Sequence, residues 1–355
     1  MIKVFILSVY YCAGEKLTYR LTQAVSVHGC SCKLPQHQLV ELLAQAGLSS
    51  NLGTEVLAGL GENSSVIQIA PDLAILNTLD FFTPMVNEPE LQGRIAASNV
   101  TSDIYTLAVS KIVSILVIMA YPEDMPMELA SGMLRGFNDF CCEIGAPVIG
   151  GHTVQNPWPL IGGGATGIGD PKQLIYTKGA KPGDRLFLTK PLGIAPAMAA
   201  YRLCKDNVGR DFLKNISSEF VEEIVNQAIA NMITPNKSVA EVMQKISVHA
   251  ATDITGFGLK GHAMNMARLS GVDIVIDKLW VIQGTPILSE VFGYPLLSGE
   301  SKETAGGILI AVAKENADDL QSELFRYGVK HMEVGYVMSG NGNVRVLKSV
   351  KVIET

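Results

Sequence analysis

The sequence has few charged residues and no excess of positive charge. Only 17% of its 355 residues are Asp, Glu, Lys or Arg, and the formal net charge is -6. Binding to a nucleic-acid duplex needs clustered cations that displace condensed counterions. The composition therefore excludes a general affinity for nucleic acid and favours a small-molecule partner.

Long hydrophobic runs are also missing. The apolar stretch IVSILVIMAY at 112–121 has about half the length that a membrane-spanning helix needs, so it predicts a buried strand and no membrane association. Residues 2–12, IKVFILSVYYC, weakly imitate a signal peptide. The tyrosines before Cys12 remove the small-residue cleavage site, which favours a first strand or a loose terminus.

Cysteine is too sparse for a secreted disulfide framework in a chain of this length. The six cysteines include two close sets, Cys30 with Cys32 and Cys141 with Cys142. Disulfide frameworks of secreted domains are denser and lie in smaller chains. We therefore expect a reducing compartment, the cytoplasm.

The length exceeds that of one ordinary hydrophobic core and predicts two domains. The charged segment 170–185, DPKQLIYTKGAKPGDR, contains two prolines and two glycines and is the candidate boundary. The expected domains are 1–170, with a mobile loop at about 1–34, and 171–355. Hydrophobic periodicity predicts helices at 35–47, 90–109, 125–144, 194–204, 217–231 and 260–270, and strands at 64–70, 73–82, 112–121, 272–277 and 306–313.

The first chemically distinctive cluster is HGCSCK, residues 28–33. A nearby lysine favours the thiolate form of a cysteine, so Cys30 is a candidate nucleophile. Lys33 could also meet a phosphate group. The alternatives are two free cysteines in a flexible loop or half of a metal site, although no second Cys/His pair with zinc-ligand spacing lies nearby.

A second cluster is acidic. Asp80 ends LAILNTLDFF, Asp103 lies in NVTSDI, and Asp253 lies in ATDITGFG. Asn99 and Asp103 are four residues apart and share one helix face. Magnesium with ATP takes one or two carboxylates, phosphate oxygens and water, which these aspartates suit. Each alone could instead cap or solvate a helix.

Three glycine-rich segments form the third cluster: GGHT at 150–153, GGGATGIG at 162–169 and TGFG at 255–258. Backbone amides without side chains can approach anions closely. None of the segments matches the phosphate loop or the dinucleotide fingerprint, and glycine turns between strands explain them equally well. His152 is either a polar site group or a structural histidine.

These motifs occur in the order seen in selenophosphate synthetases (selenide, water dikinases), members of the aminoimidazole-ribonucleotide-synthetase superfamily, which the chain resembles from about residue 20 onward. The resemblance implies a two-domain α+β fold, in which strands of the N-terminal domain pair across a homodimer. It implies that ATP, selenide and water give selenophosphate, AMP and orthophosphate. The matching segments are GCSCK (29–33), TLDFFTPMVNEPELQGRIAASNVTSDIY (78–105), GAPVIGGHTV (145–154), LFLTKPLGI (186–194), ATDITGFGLKGH (251–262) and TAGGILIAV (304–312).

The resemblance also implies residue roles. Cys30 and Lys33 fall on the catalytic cysteine and the essential lysine, on a loop expected to close over the phosphates of ATP. Asp103 and Asp253 fall on magnesium-binding positions. Nucleotide-pocket positions are Asp80, Asn99 and the GGHT residues Gly150, Gly151, His152 and Thr153, with Lys33 also expected at the phosphates.

The chain departs from the family pattern at three places. Asn63 replaces a metal-binding aspartate, although the adjacent Glu62 could supply the carboxylate. SKETAGG at 301–307 replaces a DPQTSGG-like sequence, and TLAVSKI at 106–112 replaces an AMGG-type turn. These departures keep open a non-catalytic or regulatory paralogue that retains nucleotide binding and the dimer. A thiamine-phosphate kinase or purine-biosynthetic synthetase is disfavoured by GCSCK, because those reactions need no such thiol.

Overall fold

The computed structural model describes residues 19–48, 53–205, 213 and 216–355. The strand or loose terminus expected at 2–12 lies outside this range. The N-terminal half of the described chain contains β1 (Val56–Ala58), β2 (Ser65–Ala70), β3 (Leu73–Phe82), β4 (Ile112–Tyr121), β5 (Val148–Gln155) and β6 (Leu160–Gly169), with α1 (Gln36–Gln45), α2 (Pro89–Thr106) and α3 (Met127–Ile144).

The first sheet has the strand order β1-β2-β3-β6-β4-β5. All its pairs are antiparallel except β4 with β5. Helix α2 packs on β3 and β6, and α3 packs on α2. Pro89 in the first turn of α2 has a φ angle suited to a helix start. Gly145 ends α3 in the left-handed conformation that glycine adopts without strain.

Strand β6 carries a run of glycines at the centre of this sheet. A Cβ atom on Gly162 would lie 2.1 Å from the Asp80 carbonyl oxygen, and one on Gly163 would lie 2.5 Å from the Leu116 carbonyl oxygen. The neighbouring strands therefore fit closely only against glycine. The alternative that this run and GGHT form turns between strands is wrong, because both segments are hydrogen-bonded strands.

The C-terminal half forms a second six-stranded sheet of order β12-β9-β11-β7-β10-β8. Its strands are antiparallel except for the β12 and β9 pair. The strands are β7 (Arg185–Leu188), β8 (Ala250–Asp253), β9 (Val272–Val281), β10 (Ile308–Val312), β11 (Met332–Ser339) and β12 (Val344–Glu354), and the helices are α4 (Ile194–Lys205), α5 (Ser218–Ile233), α6 (Lys237–Met243), α7 (Gly258–Ser270), α8 (Thr285–Phe292) and α9 (Ala317–Arg326).

One hydrophobic core extends across both halves. It joins α2 and α3 to α4, α5 and α6, for example through Ile104, Met198 and Met243, which are all buried. A second cluster lies on the other side of the second sheet, around α7 and β9. Within the parts of the chain that the structure describes, no helix combines the length and apolar character needed to cross a membrane.

Candidate active site

Cys30 lies on a short 3-10 helix, Gly29–Cys32, at the junction of the two halves. Its backbone N–H donates to the Thr304 hydroxyl at 3.1 Å, and its thiol donates to the Asn99 side-chain oxygen at 3.4 Å. Gly29 has φ +54, and a Cβ there would lie 2.7 Å from the Thr304 hydroxyl oxygen. The segment therefore approaches Thr304 closely because residue 29 is glycine.

The Cys30 thiol is buried, and this decides its protonation. Burial raises the pKa of Cys30 to about 12, although the Lys33 charge acts in the opposite direction. Lys33 favours the thiolate of Cys30, as the sequence predicts, but desolvation outweighs the neighbouring cation in this arrangement. The thiol is neutral and donates a hydrogen bond to the Asn99 side-chain oxygen.

Lys33 and Asn99 converge on one carboxylate. The Lys33 ammonium donates to Asp80 Oδ2 at 3.0 Å, and Asn99 Nδ2 donates to the same oxygen at 2.5 Å. Burial opposes the charge of Lys33, but the Asp80 and Asp103 carboxylates and the hydrogen bond to Asp80 outweigh it and raise the pKa of Lys33. Four of the predicted site residues thus form one continuous contact network. They are Cys30 in the 3-10 helix, Lys33 directly after it, Asp80 in β3 and Asn99 in α2.

Asp103, which is partly buried, and Asp253, which is buried, form a pair of carboxylates beside this network. Burial and the charges of Asp253 and Asp80 raise the pKa of Asp103 well above its ordinary value. Burial also raises the pKa of Asp253, against a hydrogen bond from Ser102 and the charge of Lys33. The Thr78 hydroxyl donates to Asp103 at 2.6 Å. Two mutually repelling carboxylates, one of them buried, are an oxygen donor set that suits a hard divalent cation.

Asn63 contacts Thr252, the residue before Asp253 in strand β8. Its amide nitrogen donates to the hydroxyls of Thr106 at 3.0 Å and Thr177 at 3.3 Å, and its oxygen accepts from Thr252, the neighbour of Asp253, at 3.3 Å. Among the described residues, no group of three or more His, Cys, Asp or Glu side chains is placed to hold a metal. The Asp80 carboxylate is close enough to raise the pKa of both Asp103 and Asp253, and the Asn63 amide oxygen contacts the neighbour of Asp253.

Glu62 does not replace the missing carboxylate. Both of its oxygens accept from the Thr177 backbone N–H, at 3.1 and 3.0 Å, and one also accepts from the Thr177 hydroxyl at 2.5 Å. The Asn63 backbone N–H donates to Glu62 as well, at 3.1 Å. The hydrogen bonds of this carboxylate therefore hold the backbone at Thr177.

The GGHT residues are not brought to the other site residues within one chain. Gly151 is in register with Asp80 through Gly163 and Val117, but three strand spacings, about 14 Å, separate them. Gly150 and His152 alternate with Gly151 and so project from the opposite face of the sheet. Gly150, Gly151, His152 and Thr153 are all exposed on the edge strand β5.

Comparison with known proteins identifies the family. Residues 61–169 match the model of the AIR synthase related protein, N-terminal domain, and residues 181–348 match the corresponding C-terminal domain. The selenide, water dikinase of Methanocaldococcus jannaschii is 42% identical, covering 96% of this chain and 99% of that protein. Human selenide, water dikinase 2 is 36% identical over 96% of this chain and 85% of its own length. The chain belongs to the selenide, water dikinase family.

Solved structures show the same fold at lower identity. AaThiL complexed with AMPPCP and TMP superposes with a TM-score of 0.67 at 21% identity, covering 95% of this chain and 97% of that one. Hydrogenase maturation protein HypE in complex with ATP gives a TM-score of 0.60 at 17% identity, over 89% and 92% of the two chains. The two-domain α+β architecture of this dikinase family member is thereby confirmed.

Several residues at the site were not singled out from the sequence. Thr304 and Ala305 contact Cys30 and Asn99, and the Lys190 ammonium, fully buried, donates to the carbonyls of Thr234 at 2.6 Å and Ala305 at 2.9 Å. Burial lowers the pKa of Lys190 to about 7, against the charge of Asp253. The available signals were the family segment LFLTKPLGI, which contains Lys190, and the departure at 301–307.

Proposed function

We propose that this chain is an ATP-dependent phosphotransferase that makes selenophosphate, AMP and orthophosphate from ATP, selenide and water. The observation that carries the proposal is the contact network of Cys30, Asn99, Asp80 and Lys33 beside the Asp103 and Asp253 pair. It puts a thiol, a cation and a carboxylate pair within one site. Selenide, water dikinase is the name of the relatives that match nearly the whole chain.

The residues divide the work as follows. Asp103 and Asp253, with the amide oxygen of Asn63, would hold magnesium, which neutralises the phosphate oxygens of ATP. Lys33 would bind a phosphate group as a point charge, and Asp80 orients the ammonium. Asn99 holds the proton on Cys30 Sγ until the segment around Cys30 opens to meet selenide. The proposed location is the cytoplasm.

The exposed face of the first sheet supports a homodimer. Leu79, Gly164, Leu116 and Gly150 form one row of paired residues across four strands, and both leucines are at least half exposed. An apolar sheet face of this kind favours a partner surface, and strand pairing is the partner mode that the family resemblance implies. Because Gly150 and His152 lie on this face, their predicted contact with a nucleotide would have to come from a second copy of the chain.

Phosphorus NMR of the purified protein with ATP and magnesium, with and without selenide under anaerobic conditions, tests this function. We expect selenide-dependent AMP and selenophosphate from the wild type. C30S should still bind ATP but make no selenophosphate, whereas C142S, which changes an exposed cysteine on α3, should behave as the wild type. Turnover by C30S equal to that of the wild type would refute the assigned role of Cys30.

One observation favours a second function. Asn63 supplies no charge where the family pattern has a metal-binding aspartate, and Glu62 is committed to Thr177. A folded wild-type protein that binds ATP with magnesium but forms neither product would identify a regulatory paralogue that retains nucleotide binding. Loss of magnesium-dependent ATP binding would exclude the enzyme altogether.

A further inference from the structure

The 301–307 segment, SKETAGG, contacts Cys30 and the residues around it. Thr304 accepts from the Cys30 backbone N–H at 3.1 Å, and the Ala305 N–H donates at 2.9 Å to the Asn99 oxygen that also receives the Cys30 thiol proton. The Lys302 ammonium donates to the Ser31 carbonyl at 3.3 Å. The position of this segment therefore sets the position of the thiol.

Glu303 anchors the segment from the side opposite to Cys30. One carboxylate oxygen accepts from the Gly193 N–H and the other from the Ile194 N–H, both at 2.9 Å, at the beginning of α4. The Glu303 backbone N–H donates to the Thr255 carbonyl at 3.0 Å. Glu303 is 2% exposed, so no water competes for these bonds, and a helix start favours a carboxylate.

Ala305 has an unfavourable backbone conformation, and contacts with its surroundings hold the 301–307 segment in it. Its φ of +49 lies in the left-handed region that a non-glycine residue seldom adopts. Such a conformation persists where the surroundings fix it. Here the surroundings are the bond from its N–H to Asn99 and the bond from Lys190 to its carbonyl.

We propose that Glu303 is a positioning residue, which anchors the 301–307 segment on α4 and thereby holds Thr304 and Ala305 where they fix Cys30 and Asn99. The family pattern implies glutamine at this position. An amide oxygen could accept from one of the two N–H groups, but the amide nitrogen would face the other as a second donor. The consequence for turnover rests on the proposed function, whereas the consequence for the exposure of Cys30 does not.

The test is the rate at which iodoacetamide modifies Cys30, followed by peptide mapping at a pH above about 8, where the Glu303 carboxylate is ionised. We expect E303Q to react about tenfold faster at Cys30, since the lost charge-assisted bond lowers the cost of opening. E303Q should also lower kcat with selenide while changing the KM for ATP little, because Lys33, Asp80 and Asp103 keep their contacts.

The matched control is E300Q. It removes an exposed carboxylate three residues before Glu303, which is paired with Lys260 of α7. This variant should leave labelling and turnover unchanged. If E303Q does not fold, T304V removes the acceptor of the Cys30 N–H directly and should also speed labelling. Folded E303Q or T304V that reacts at the wild-type rate overturns the inference. A wild type without selenide-dependent turnover refutes the proposed function alone, because labelling needs no turnover.

Discussion

Asn63 is a position at which this chain lacks a negative charge that the pattern of its family has. Its amide nitrogen donates to two threonine hydroxyls, and its oxygen accepts from Thr252, the neighbour of Asp253. Magnesium accepts amide oxygens, but fewer negative ligands lower its affinity. Asn63 therefore predicts that the protein needs a higher magnesium concentration than a variant with aspartate there.

N63D tests this prediction. The added carboxylate should lower the magnesium concentration that gives half-maximal ATP binding by about tenfold, and the threonine hydroxyls can reorient to donate to it. Isothermal titration at a series of magnesium concentrations measures the change. N138D adds the same charge on the exposed face of α3 and should leave the requirement unaltered; an equal requirement in N63D would exclude residue 63 as a ligand.

The contacts of Cys30 show how much of the site could be predicted from individual residues of the sequence. Its proximity to Lys33 in sequence is visible, and the family pattern adds Asp80, Asn99 and Asp103, which the structure brings together. The protonation of the thiol could not be read, because it depends on burial under residues some 270 positions away, such as Thr304. Glu303 was missed for the same reason, since its partners at 193 and 194 are set by tertiary packing.

At the scale of elements, α2 and α3 cross at a distance that only glycine permits. A Cβ on Gly93 would lie 2.0 Å from the Met133 carbonyl oxygen, and one on Gly136 would lie 1.9 Å from the Glu90 carbonyl oxygen. Both contacts are with backbone, which cannot move aside as a side chain can. This crossing places Asn99 and Asp103 on the face of α2 toward the site.

G136A should therefore destabilise the protein by at least ~2 kcal/mol, because overpacking exceeds the gain of about 1 kcal/mol in helix propensity. Urea unfolding followed by circular dichroism measures the difference. S131A, on the exposed face of the same helix, should change the free energy of unfolding by no more than ~0.5 kcal/mol. A G136A protein as stable as S131A would mean that the two helices can separate without cost.

Elements with a strong apolar period were predictable, and glycine-rich ones were not. The helix expected at 125–144 forms at Met127–Ile144, and the strands expected at 73–82 and 112–121 form at those bounds. Strand β6 gave no period because five of its ten residues are glycine. Its strand character comes from pairing with β3 and β4 on both sides, which sequence patterns do not contain.

At the scale of the whole molecule, the first sheet has α2 on one face and exposed apolar residues on the other. Leu79, Phe81 and Leu116 are all more than two fifths exposed. In the proposed homodimer, a second copy of the chain would cover these apolar side chains and remove them from water.

L116E should convert the protein to a monomer, because a carboxylate at the centre of the buried sheet face would lose its hydration. Sedimentation velocity distinguishes the two states. F325E places the same charge on an exposed apolar residue of α9, distant in the fold from this face, and should leave the dimer intact. A dimeric L116E protein would show that the subunits associate through another surface.

The burial of Cys30 also affects how fast air or peroxide oxidises its thiol. Oxidation to sulfenic acid follows thiolate character and exposure, and Cys30 has neither in this arrangement, whereas Cys142 is exposed. Of these two cysteines, an oxidant would therefore consume Cys142 first. The residue proposed to handle a strongly reducing selenium species is kept, between turnovers, in the form least open to damage.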